Sequence, residues 1–337
     1  MPRVRLEDVA KHAGVSMKTV SNVVHDYEHV SDRMRTRVQT AIDELGYRPN
    51  LMGRRLATGR TGMLSLAFSN VSLPYFAELA RVFYAEAERR DYRLLLQQTD
   101  AKVQRERAIV SADEAGLVDG LVFQPSELGS TEIAQHQRDV PLVLLGEEAA
   151  PISVDHVMID NVAAATRATE HLIALGRRKI AFVGHETGPL TKTSLQRMSG
   201  YQNALEHAGI PVDMNLLLPT TQYDSFEAAS AVRHALDAGL EFDALMCRDD
   251  LAAIGALRAL HERGISVPGD VAITGWDNTH AASVTYPSLT SIAPDTAQLA
   301  VVALDMLEER IGGYLGVGRH RIVDFTLVTR ESAPAIG

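Results

Sequence analysis

Cysteine is almost missing from this chain of 337 residues: Cys247 stands alone. A single thiol excludes a disulfide framework and any zinc site built on paired cysteines, and it fits a reducing compartment. Tryptophan occurs once, at Trp276. No apolar run reaches the roughly 18 residues of a bilayer-spanning helix. The start, Met1-Pro2-Arg3-Val4-Arg5, leads into polar sequence without a signal-peptide core. A cytoplasmic location and no membrane partner are therefore expected. Catalytic signatures are missing as well: there is no G-x-S-x-G elbow, Walker A loop, H-E-x-x-H or G-x-G-x-x-G fingerprint. The twelve histidines, His12, His25 and His29 among them, lack metal-ligand spacing. No catalytic residue, metal or cofactor is expected.

What is present is an uneven distribution of charge. The net charge is −10, yet residues 1–60 hold 11 Lys/Arg against 7 Asp/Glu, and the remaining 277 hold 22 against 36. A basic first sixth on an acidic body describes two modules, of which the basic one is the candidate for nucleic acid. The length also exceeds the roughly 250–300 residues at which single cores stop growing.

In the basic module Leu6 to Ala13 reads as a short helix, with Val9, Ala10 and Ala13 inward and Glu7 and Asp8 at its positive end. Gly14 suits its C-terminal stop, and Ser16 suits the cap of a second helix, Met17 to Val24. Inward Val20, Val23 and Val24 leave Met17, Lys18, Thr19, Ser21 and Asn22 on the outer face. Two short helices joined by a Gly-containing turn form a helix-turn-helix, whose second helix can reach base edges in a major groove. Ser31 is expected to cap a third helix, Asp32 to Leu45, which Gly46 stops.

The run Leu6-Glu7-Asp8-Val9-Ala10-Lys11-His12-Ala13-Gly14-Val15-Ser16-Met17-Lys18-Thr19-Val20-Ser21, with Gly46-Tyr47-Arg48-Pro49-Asn50 and Arg55-Leu56-Ala57 behind it, resembles the lactose repressor/galactose repressor family of bacterial transcription regulators. The resemblance implies double-stranded operator DNA as partner, contacted by Leu6, Ser16, Met17, Lys18, Thr19, Ser21, Asn22, His25 and Ser31. It also implies a hinge segment, with Asn50, Gly53, Arg54 and Leu56, that folds in the minor groove, where Leu56 wedges between base steps. Taken alone, that segment is too short for a stable helix in water. Two positions depart from the family: Arg5 stands where a capping Thr or Ser is usual. Asn22 stands where a guanine-reading arginine is usual, and it pairs more readily with adenine.

Beyond residue 60, short apolar runs alternate with helical patterns, which argues for α/β architecture with parallel sheets covered on both faces. The expected strands include Met63–Phe68, Tyr92–Leu96, Gly120–Phe123, Val140–Leu145, Ile180–Val183, Ala244–Cys247 and Val271–Thr274, with a last one at Arg321–Val328. In such sheets ligands bind beyond the carboxyl ends of the strands. The polar residues there are Asn70, Asp100, Gln124, Glu147, Asp249, Asp250 and Asp277. Each alone suits a helix cap; as a set they suit a cleft.

The resemblance continues through Val118-Asp119-Gly120-Leu121, Arg197-Met198-Ser199-Gly200-Tyr201, Gly264-Ile265-Ser266-Val267-Pro268-Gly269-Asp270 and Pro287-Ser288-Leu289-Thr290. It implies two doubly wound subdomains of periplasmic-binding-protein type around an effector cleft. Phe76, Arg197, Asp249 and Asp277 match effector contacts of the family by position, and Glu147 and Tyr223 fall where others occur. The usual Ala-Asn-Asp is Arg248-Asp249-Asp250 here. The expected division is a head at 1–46, a hinge at 47–60, one subdomain at 61–160 and 295–322, and another at 161–294 and 323–337. Carboxylate acceptors, one guanidinium and an aromatic such as Trp276 or Phe76 to stack on a ring favour a sugar as small-molecule effector, over a nucleobase or organic acid. A sugar-binding protein or a glycoside-processing enzyme is the weaker alternative. Without a leucine-heptad tail after the last strand, a homodimer is expected.

Overall fold

The computed structural model describes residues 4–24, 27, 29–47, 60–111, 116–137, 140–147, 151–187 and 190–335. The chain forms two compact units, Met1–Thr61 and Gly62–Gly337.

The first unit holds α1 (Leu6–Ala13), α2 (Met17–Val24) and α3 (Asp32–Leu45) around Val9, Ala10, Ala13, Val20, Val23, Val38, Ala41 and Tyr47. Gly14 and Gly46 end α1 and α3 at φ +60° and +62°, a region that costs a side chain with a Cβ but not glycine. The cap missing at Arg5 is supplied from inside the helix: the Asp8 carboxylate accepts the Arg5 backbone N–H at 2.8 Å. Ser16 caps α2 as expected, its Oγ accepting the Thr19 N–H at 3.1 Å. Ser31 differs: its backbone takes the cap conformation, but its hydroxyl makes no bond to α3.

The second unit is built on two sheets. One has the order β11-β5-β4-β3-β1-β2 and is parallel throughout, from β1 (Met63–Phe68), β2 (Arg93–Gln98), β3 (Gly120–Phe123), β4 (Leu142–Leu145), β5 (Asp155–Ile159) and β11 (His320–Val323). The other has the order β12-β10-β9-β8-β6-β7, from β6 (Ile180–Glu186), β7 (Leu217–Thr220), β8 (Ala244–Cys247), β9 (Ala272–Trp276), β10 (Thr290–Pro294) and the antiparallel edge β12 (Phe325–Val328). The period-2 rule assigns the faces. Leu64, Leu66 and Phe68 share a core with α4 (Pro74–Arg89) and α12 (Thr296–Ile311), while Ala67 joins the core under α5 (Val103–Val110) and α6 (Ser130–His136). On the second sheet Ile180 and Phe182 pack with α7 (Asn161–Ala174) and α8 (Lys192–His207). Ala181 and Val183 pack with α9 (Ser225–Asp237) and α10 (Asp250–Glu262).

The chain passes between the sheets three times: after β5, after β10 and between β11 and β12. The single last strand expected at Arg321–Val328 is therefore two strands in two sheets. Asp324 makes the break, its N–H bonded to Gln298 Oε1 at 2.7 Å and its carbonyl accepting from Asp295 N at 2.9 Å. Asp160 and Asp295 cap the helices entered at the other two crossings. Hydrogen bonds thus fix the chain at all three crossings.

Candidate functional site

The helix-turn-helix presents the outer face that the sequence implied. Met17 is 55% exposed, Lys18 is exposed, and Thr19, Ser21 and Asn22 are half-buried beside it. Leu6 packs partly against the core of the head, and Ser31 is exposed. His12 Nε2 meets Glu44 Oε2 at 2.6 Å and ties α1 to α3. His25 and the hinge residues Asn50, Gly53, Arg54 and Leu56 lie outside the described residues.

In the second unit the carboxyl ends of both sheets face one cavity of about 580 Å³. Asn70, Asp100, Gln124 and Glu147 line it from the first sheet's strand ends with Phe76 of α4, and Tyr223, Asp249, Trp276 and Asp277 from the second's with Arg197 of α8. All ten residues that the sequence suggests for effector contact thus line one cavity. Their chemistry differs from one to the next. Asn70 Oδ1 is occupied by the Ser72 N–H and hydroxyl. Asp100 accepts from Gln98 and Arg105, and these contacts hold its carboxyl below the usual range. Phe76 is stacked on Phe68 with centroids 5.1 Å apart and belongs mainly to the core.

A hydrogen-bonded chain crosses the cleft. Glu147, after β4, accepts from the Thr193 hydroxyl and, at 2.6 Å, from Asn161 Nδ2. Asn161 Oδ1 accepts Arg197 Nε at 2.9 Å, and Arg197 Nη1 donates to the Arg248 carbonyl. The Arg197 guanidinium also lies 3.9 Å over the Trp276 ring. Trp276 was expected to stack on a ligand ring. It is wholly buried, and Arg197 takes one of its faces. A second bridge lies further out, where Glu78 of α4 accepts at 2.8 Å the backbone N–H of His280, the first residue of α11 (His280–Val284).

Asp277 is the open group. Its backbone sits at φ +92°, and among the described residues its carboxyl accepts no hydrogen bond. Burial pushes it well above the usual carboxylate range; Arg197 pulls the other way, and Asp250, Asp249 and Glu147 add to the rise. Tyr75 faces the same groups, its hydroxyl raised by burial and by Asp277 and Glu147.

The sequence reading missed Tyr75, Glu186 and Thr193 as lining residues. Glu186 was within reach of the strand-end rule, but β6 runs three residues past the expected Val183. In the sequence Asp250 is only one of the strand-end set; in the fold it braces the site. It accepts the Thr279 N–H at 2.7 Å, the Thr279 hydroxyl at 2.9 Å and the Ser291 hydroxyl at 2.7 Å, and burial raises its carboxyl to about 6 despite these bonds. A Cβ at Gly275 would stand 2.4 Å from Asp250 Oδ1, so the loop that carries Asp277 requires glycine there.

A helix-turn-helix head followed by a two-sheet body with a polar cleft defines a ligand-binding DNA-binding regulator. Residues 5–50 match the profile of bacterial regulatory proteins of the lacI family, and residues 169–333 match a periplasmic binding protein-like domain. The HTH-type transcriptional regulator RegA of Clostridium saccharobutylicum is 30% identical over 97% of this chain and 98% of its own. Among solved structures, the CelR–cellobiose complex is similar with 29% identity and a TM-score of 0.71, covering 98% of this chain and all of that one. The lac repressor dimer bound to operator and the anti-inducer ONPF has 25% identity and a TM-score of 0.85, covering 99% and 100%. The chain belongs to the lacI family and is a DNA-binding transcription regulator. Among the described residues no helix is long and apolar enough to cross a membrane.

Proposed function

We propose that the protein is a homodimeric repressor whose affinity for a pseudo-palindromic operator is set by a neutral sugar held between the two sheets. The observation that carries the reading is the donor and acceptor set around one cavity. Asp277 is an acceptor without a partner among the described residues, Glu147 and Asp249 are held in place, and Arg197 supplies a fixed cation. Carboxylates outnumber cations on this wall, so it repels an anionic ligand, whereas hydroxyls can donate to every acceptor. The regulatory action needs no catalytic group. Of the similar structures, CelR was solved with cellobiose and the lac repressor as an operator-bound dimer, which fits both halves of the reading.

A ligand acts on the operator only through its differential affinity for the two angles of the sheets. The direct test is a thermal-shift panel of neutral mono- and disaccharides on the full chain, because a cleft ligand stabilises by mass action. Trp276, in contact with Arg197, should report the same ligand by fluorescence. If sugars leave the melting curve in place while a purine or a carboxylic acid moves it, the sugar reading is wrong.

Two expectations concern DNA. Leu56→Ala should weaken specific operator binding about tenfold by removing the apolar wedge; an unchanged gel-shift midpoint would discard the wedge. Asn22→Arg should move one symmetric position of the selected site toward guanine, since a good bidentate base contact is worth roughly 1–3 kcal/mol. Selection of random sites with both proteins would show the change, and identical logos would remove Asn22 from base reading.

A further inference from the structure

Arg248 does not line the cleft, yet the groups it holds do. Its side chain is 2% exposed. Nε donates to Asp249 Oδ2 at 3.0 Å, Nη2 donates to the Gln222 carbonyl at 3.1 Å, and the guanidinium lies 3.6 Å over the Tyr223 ring. Nη1 has no hydrogen-bond partner and stands 3.9 Å from Glu186 Oε1. Asp249, Gln222, Tyr223 and Glu186 all face the cavity. One guanidinium thus joins the loops after β6, β7 and β8 from behind. Space for it is made at Gly184, in the irregular step of β6 between Val183 and His185, where a Cβ would come 3.1 Å from Arg248 Cβ.

We propose that Arg248 is a positioning residue that sets ligand preference: it neutralises Asp249 and fixes the Tyr223 loop, so this wall takes a neutral hydroxylated ring in preference to its amino counterpart. The proposal rests on the sugar reading above. Taking a guanidinium out of water costs several kcal/mol unless it is paired. Its main compensation is Asp249, whose second oxygen caps α10 through the Ala252 N–H at 2.7 Å. The carboxylate therefore reaches the cavity with its charge matched inside the protein, and offers lone pairs for hydroxyls. Without Arg248 the unmatched Asp249 would stand with Asp250, which interacts with it directly, and with Glu186 and Glu147 on the same cavity wall, where Arg197 and Lys192 are the lining cations among the described residues. Such a wall attracts an ammonium group. Where the family pattern reads Ala-Asn, this chain reads Arg-Asp, so the added acid comes with its own base.

The test compares wild type, Arg248→Met, Asp249→Asn and the double variant as full chains. Without ligand at neutral pH, Arg248→Met should melt several degrees lower, and adding Asp249→Asn should recover most of that loss. A double variant no more stable than Arg248→Met would overturn the neutralisation. Trp276 fluorescence titrations then use matched pairs: glucose with glucosamine, galactose with galactosamine, mannose with mannosamine. Wild type should prefer the neutral member. Arg248→Met should shift the ratio about tenfold toward the amine, the size of one charge-assisted contact, and the double variant should return it. A ratio indifferent to Arg248→Met overturns the proposal. Failure of every sugar to bind wild type would overturn the sugar reading and with it the assigned preference, while the ligand-free cycle still decides whether Arg248 neutralises Asp249.

Discussion

Asp155→Ala should lower the melting temperature by roughly 6–12 °C, the shift expected for about 3 kcal/mol in a unit of this size. Asp155 is wholly buried at the start of β5. It accepts Arg310 Nε at 2.9 Å and Nη2 at 3.0 Å, Arg319 Nη2 at 2.8 Å and the Arg319 backbone N–H at 2.8 Å. It thereby joins the C-terminal end of α12 to the approach of β11. Removing the carboxylate takes the shared partner from two mostly covered guanidiniums, leaving Arg319 with Glu309 and Arg310 with backbone carbonyls, and a broken buried pair costs more than the intact pair contributes. The pH response has a definite sign. Burial alone would raise the carboxyl, but the hydrogen bonds from Arg310 and Arg319 outweigh it and hold it at about 2. A group with a depressed folded pKa stabilises fully above its unfolded value of about 3.9 and loses that contribution as pH falls through the folded one. The gap between wild type and Asp155→Ala should therefore be constant from neutral pH down to about 4, then narrow toward pH 2. A gap that narrows instead between neutral pH and 5, followed by circular dichroism melts, would assign the stability to other groups.

Asp277→Ala should raise the dissociation constant of the effector by roughly ten- to a hundredfold and leave operator binding without effector in place, the loss expected for a hydrogen bond to a group of this kind. The argument is that, among the described residues, the Asp277 carboxyl accepts no hydrogen bond and faces the cavity. Its apo behaviour supplies an independent check. A carboxyl raised by burial is protonated in the fold at a pH where the unfolded chain has released its proton, so it destabilises increasingly as pH rises above about 4. Asp277→Asn removes that penalty, and the unliganded variant should melt higher than wild type at neutral pH. A slope between about 4 and 6 should persist in the variant, because Asp250 is also raised, to about 6. Equal effector titration of Asp277→Ala and wild type would move the contact elsewhere in the cleft.

The sequence by itself determined the head, its three helices and their stops, because caps, αL glycines and valine spacing are local rules that tertiary contacts did not need to override. It also determined the α/β class of the body, and the strand-end rule led to one cavity: Asn70, Asp100, Gln124, Glu147, Asp249, Asp250 and Asp277 all face it. What only the tertiary structure decided is which of these groups is free. Asp100 and Asp277 look alike in sequence, but Arg105 occupies the first and none of the described residues occupies the second. Trp276 could be read as a stacking platform until Arg197, 79 residues away in sequence, was found across its face. The run Arg321–Val328 has one apolar pattern, yet it enters two sheets because Asp324 is held by residues around α12. Hydrophobic periodicity reports which face of an element is buried. It carries no information on which distant side chain arrives to satisfy a buried charge, and in this cleft those arrivals decide the chemistry.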